Sequence, residues 1–212
     1  RAFVFQSYNI PKGLKLRDEI ARFYQIALAH WESFVAAKET NTSAPIGFVQ
    51  SLLGDCFGFT TLKKSPVKTF LERSFPINFC AESGRIPVVI APLALADSRK
   101  LGIDEALSQF GDDTRKRSAT QLLQEYLNAD EDALWGIICD GATLRLLRDN
   151  ASLTRPAWIE VNLEKIFSEG LFPDFSALWL ILHASRFGVT GTSPSDCPLE
   201  NWKERSRLDG AA

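Results

Sequence analysis

An α/β fold with a mixed central sheet flanked by helices is what this 212-residue sequence predicts. Apolar residues recur at helical spacing near the start, and short β-rich runs bounded by turn residues follow. The elements then run in the order αα–ββ–α–βββ–αα, which suits helices on the faces of a sheet better than a bundle or a sandwich.

From Leu16 to about Lys38 the apolar positions Ile20, Phe23, Tyr24, Ala27, Leu28, Trp31, Phe34 and Val35 form one wide stripe, which predicts an amphipathic helix. After the loop "ETNTSAP", Ile46, Val49, Leu52, Leu53 and Phe57 give a second helix over about 45–57. A polar stretch with Lys63, Lys64 and Lys68 leads to "SFPINFCAE" (74–82) and "IPVVIAP" (86–92), two β-rich runs joined as a hairpin or as neighbours. Residues 93–117 look like a loop, and "SATQLLQEYLN" (118–128) is a helix with Ser118 as N-cap. "ALWGIICDG" and "TLRLLRD" flank Asp140-Gly141, a strong hairpin signal. "AWIEVNL" (157–163) adds a strand and "LEKIF" a short helix. "FPDFSALWLILHASRFG" (172–188) is apolar nearly all round and is expected to be a deeply buried helix. The expected division is a domain over 1–188, its helical pair at about 14–58, then a linker and the start of a polar connector helix over 189–212. The chain begins at Arg1 and contains no methionine, so a piece of a longer polypeptide is expected.

The net charge of −2 and pI of about 5.8 argue against a protein that is basic all over, but leave room for a local basic face. Cys56, Cys80, Cys139 and Cys197 form no CxxC pair, and with only His30 and His183 no zinc-ligand spacing exists. Buried free thiols in a reducing cytosol are the expectation. No signal peptide or membrane-length apolar run is present, so a cytoplasmic location and no membrane partner are expected.

Nucleotide-cradle motifs (GxxxxGK[ST], GxGxxG), a GxSxG elbow and HExxH do not occur. His30 and His183 read as core or boundary residues. Asp112-Asp113 and Asp130, Glu131 and Asp132 read as solvated turns. Glu82 ends the first β-run, where a metal-dependent nuclease keeps an acid, yet the neighbouring "IPVVIAP" supplies neither acid nor lysine. The basic residues are more suggestive. Arg115, Lys116 and Arg117 precede a helix N-terminus, a natural phosphate contact, and Arg145, Arg148 and Arg155 add charge in the following hairpin and loop. These six are the candidate DNA-binding residues; the alternative is a charged edge that deters aggregation.

The stretch "LLQEYLNADEDALWGIICDGATLRLLRDNASLTRPAWIEVNLEKIF", with "FSALWLILHASRF" and "CPLENWKE", resembles the N-terminal region of type IIG-like restriction–modification proteins. These are adenine-specific DNA methyltransferases, or type II restriction enzyme methylase subunits, with relatives in phage-defence islands. The resemblance runs from about Leu52 to Lys203. It includes a recurring hairpin motif matched by Trp135, Gly136, Asp140, Gly141, Leu144, Arg145, Leu146 and Arg148. It implies an N-terminal PD-(D/E)xK nuclease-like core, here with a helical pair in front, then a helical connector and a methyltransferase region using S-adenosylmethionine. Two departures follow. The methyltransferase motif (N/D)PP(Y/F) is absent, and Ile77 stands where the nuclease aspartate belongs. The expectation is therefore a degenerate, catalytically silent nuclease-like domain with no cofactor of its own, partnered by DNA and by the methyltransferase region. An active endonuclease would need Mg²⁺ and displaced acids from Glu82, Asp97 or Asp112; a non-catalytic interaction module is the third possibility.

Overall fold

A computed structural model describes residue 8 and residues 10–41, 43–70, 72–93, 101–111, 115–149, 157–188 and 191–210. Among these, a six-stranded mixed sheet is the organising element. Its strands, in spatial order, are β1 (Lys63–Lys64), β4 (Phe79–Ala81), β5 (Ile86–Ile90), β6 (Trp135–Cys139), β7 (Thr143–Arg148) and β8 (Ala157–Asn162). β5 and β6 are parallel; every other neighbouring pair is antiparallel. Strands β2 (Lys68–Phe70) and β3 (Arg73–Phe75) make a separate antiparallel ribbon.

Parallel neighbours need a crossover, and helix α3 (Ala119–Ala129) supplies it. Its start is fixed by a full capping box: Ser118 Oγ accepts from Gln121 N, and Gln121 Oε1 accepts from Ser118 N. One face of α3 buries Leu122, Leu123, Tyr126 and Leu127 against Val89, Ile138 and Leu147 of the sheet. The opposite face is covered by α1 (Leu16–Ala37), α2 (Ala44–Ser51, continued by a π-helical turn to Cys56), α4 (Leu163–Ser168) and α5 (Phe172–Leu182). In α1, Ile20, Tyr24, Ala27, Trp31 and Phe34 repeat at three- and four-residue steps and are buried. Trp31, Phe34 and Phe48 pack as one aromatic group, with Tyr24 against Phe167 and Phe175. β5 and β6 are buried on both faces, which is why each reads as an unbroken apolar run.

The Asp140-Gly141 hairpin forms as expected, with Gly141 at φ +96° in the first central position, as a type II′ turn requires. Asp140 Oδ1 accepts from Ala142 N and Thr143 N and fixes the loop. Burial raises the Asp140 carboxyl above its ordinary range, against those two backbone donors.

Three expectations need correction. The run 74–82 is not one strand: Pro76 has no N–H to donate, so the chain leaves the ribbon after Phe75 and joins the main sheet at Phe79. The helix expected over 172–188 stops at Leu182, because His183 turns extended and its Nδ1 accepts from Ser185 N. Nor is α5 buried all round; Phe175, Leu178, Trp179 and Leu182 form its one buried face. Within 189–212 lies α6 (Pro198–Asp209), where Leu199 is buried, as is Cys197 before it, and Glu200 accepts from Arg148 and Trp135. Cys56, Cys139 and Cys197 are buried free thiols and Cys80 is half-buried; burial raises all four, Cys56 to about 12. Among the described residues no helix is long and apolar enough to cross a membrane.

Candidate functional site

The six candidate cations do not share one surface. Arg115 and Arg117 converge with Arg73 on Glu125 of α3, at 2.7, 3.2 and 2.6 Å. Arg117 is 1% exposed; it also donates to the Ser74 carbonyl and lies over the Phe75 ring, tying β3 to α3. Lys116 is exposed. Arg145 and Arg148, three apart on β7, point to opposite faces of the sheet because side chains alternate along a strand.

Arg145 lies on the α3 face. It donates to both oxygens of Asp104, to Thr120 Oγ1 and to Glu160 on β8, and stacks over Trp158. The Arg145 hydrogen bonds hold the Asp104 carboxyl below its ordinary value, and the same bonds raise the guanidinium. Arg148, on the other face, is bidentate to Glu200 at 2.7 and 2.8 Å. Burial pushes the Glu200 carboxyl up, but Arg148 outweighs it and the net direction is down. A phosphate approaching Arg145 or Arg148 would have to displace carboxylates already in place. Arg155 lies outside the described residues, as do Asp97, Asp112 and Asp113.

The positions expected to carry nuclease chemistry are apolar. Ile77 is buried, and all five residues of β5 are buried. Among the described residues no three His, Cys, Asp or Glu side chains converge as a metal-ligand group. Glu82 sits just past β4; its Oε1 accepts from Thr61 Oγ1 at 2.8 Å while Thr61 Oγ1 accepts from Glu82 N at 3.0 Å.

Around Glu82 lies a polar recess of about 300 Å³, lined by Thr61, Lys63, Lys64, Ser65, Lys68 and the 82–84 turn, with Cys80 in its wall. The turn is unusual: Glu82, Ser83 and Gly84 have φ of +48°, +59° and +103°. A non-glycine residue in this left-handed region costs about 1–2 kcal/mol, and such strain collects at functional positions. At Gly84 the positive φ is what favours glycine, and a Cβ there would come 2.9 Å from the movable end of Lys68. Lys68 is itself anchored, donating to Tyr126 Oη at 2.5 Å and Asp130 Oδ2 at 3.3 Å. In the sequence these lysines form only a polar stretch. A lysine run followed at a distance by Glu-Ser-Gly was the available signal, but the fold is needed to bring the two together.

A second concavity, an apolar groove of about 340 Å³, lies between β7, β8, α4 and α5, with Leu146, Ile159, Ile166, Leu178 and Ile181 in its walls. It borders β8, where Trp158 and Ile159 are 43% and 44% exposed. Among the described residues β8 pairs with β7 alone.

No family model, no curated protein and no solved structure matches this chain.

Proposed function

We propose that this chain is a DNA-associated domain of a restriction–modification or phage-defence DNA methyltransferase, nuclease-like in architecture and catalytically silent. The reading rests first on the sequence resemblance. The observation that carries it in the fold is the order of elements: helices, an antiparallel strand pair, the crossover helix α3, then β6 parallel to β5. That order suits a nuclease-like core. Silence is supported by β5, where an acid–x–lysine pair would stand and Ile86–Ile90 is wholly apolar and buried. The parent polypeptide would bind S-adenosylmethionine in its methyltransferase region, and Mg²⁺ belongs only to the active-nuclease alternative.

Fluorescence anisotropy on a short DNA duplex, over a salt series with and without Mn²⁺, tests this directly. Salt-sensitive binding with intact DNA is expected. Cleavage in Mn²⁺ would replace the silent domain by an active endonuclease.

The open β8 edge and its apolar groove favour a second reading, an interaction module that packs on the methyltransferase region. Hydrogen exchange would show the amides of 157–162 that face away from β7 unprotected in the isolated chain and protected in the longer polypeptide.

A further inference from the structure

We infer that the recess between β1 and the 82–84 turn is an oxyanion site that takes backbone phosphates of nucleic acid. The inference rests on the DNA-associated reading above and gives it a surface. Three features meet there. Lys63 and Lys64 are exposed on the sheet's outermost strand, and among the described residues neither has an ion pair; side chains alternate there, so Lys63 shares the Cys80 face of the recess and Lys64 stands at its rim. Lys68 stands in the wall, its ammonium paired with Asp130 and bonded to Tyr126, so it orders the recess rather than adding an unpaired charge. The recess, of about 300 Å³ and open to solvent, is large enough to admit a phosphate group.

Edge protection alone explains a lysine at an exposed strand. It does not explain why φ is positive at all three of Glu82, Ser83 and Gly84, a turn that shapes the recess. The candidate arginines are poorer hosts, because Arg145 and Arg148 are engaged by Asp104, Glu160 and Glu200. Glu82 opposes an anion, and its hydrogen bond with Thr61 holds the carboxylate at the wall. Glu82→Gln keeps an acceptor for Thr61 and removes the repulsion, so it should tighten binding.

The test uses the 212-residue chain with two probes, a labelled DNA duplex followed by anisotropy across salt and inorganic pyrophosphate followed by amide NMR shifts. The double variant Lys63→Ala, Lys64→Ala should weaken duplex binding about 10-fold at low salt and make the log–log salt slope shallower by about 2. Its circular dichroism should match the parent's, since both side chains are exposed. Glu82→Gln should strengthen binding by roughly 2- to 5-fold, about the effect of removing one like charge near a phosphate. Pyrophosphate should shift the amides of Lys63, Lys64, Lys68 and 82–84. If Arg115→Ala, Lys116→Ala abolishes duplex binding while the Lys63/Lys64 variant binds as the parent does, the recess is overturned and the DNA reading stands. Pyrophosphate shifts in the recess without any duplex binding would keep the oxyanion site and remove the DNA reading. No response to either probe removes both.

Discussion

The two edges of the sheet are built on opposite principles. At one, β1 is two residues long and both are lysines. At the other, β8 runs for six residues, with Ile159 beside an apolar groove and Trp158 exposed on the opposite face. A short charged strand makes a poor template for a further strand; a longer one with exposed apolar side chains makes a good one. The comparison separates the functions the molecule can host: the β1 edge suits an anion, and the β8 edge suits another protein surface.

Beside its backbone ladder with β7, β8 is held by Arg145, which reaches from β7 to Glu160 on β8 and to Asp104. Arg145→Ala is expected to cost about 2–3 kcal/mol, because the guanidinium is nearly buried while its carboxylates are half exposed and regain water. Chemical denaturation would measure the loss, and hydrogen exchange should show it concentrated at 157–162. Uniform loss across the sheet would mean that β8 is no weaker than the central strands.

A smaller effect comes from His183, at the end of the α5 helix that walls the groove. Burial, helped by the nearby Arg186 charge, lowers its imidazole to about 4. The unfolded chain protonates near 6.5 and the folded chain near 4, so the unfolded state binds the extra proton in between. Stability is therefore full above about pH 6.5 and falls as pH drops toward about 4, by about 2 kcal/mol after allowing for solvent screening. Asp140, raised by burial, works in the opposite direction, adding stability as pH falls. His183→Asn keeps an acceptor for Ser185 N and does not titrate, so its denaturation midpoint should be flatter over this range. An equally steep profile would assign the acid sensitivity to other groups.

Elements whose pattern is local were legible in the sequence. α1 declared itself by its aromatic stripe, α3 by Ser118 and Gln121, and the β6–β7 hairpin by Asp140-Gly141. β1 and β2 were not legible, being two and three residues long and defined by their partners rather than by any period of their own. The end of α5 was hidden because His183 stops the helix through a bond to Ser185, while the apolar pattern continues past it. The candidate arginines were identified as charges, but nothing local shows that Arg117 turns back to Glu125, or that Arg145 meets Asp104 forty-one residues away. The recess was hidden for the same reason: Lys63 lies on β1 and Glu82 in the turn after β4, and only the β1–β4 pairing makes them neighbours.

The smallest expected effect is the sharpest test of the two-edge comparison. Ile159→Lys gives β8 the kind of side chain that β1 already carries. Ile159 is 44% exposed, and the lysine stem can lie along the groove wall with its ammonium in water, so the change should stay within about 0.5 kcal/mol. Affinity for a methyltransferase-region partner, measured by titration calorimetry, should fall, while duplex binding at the β1 edge should not move. A loss above about 1.5 kcal/mol would place Ile159 in the core, and β8 would then owe its apolar residues to folding rather than to a partner.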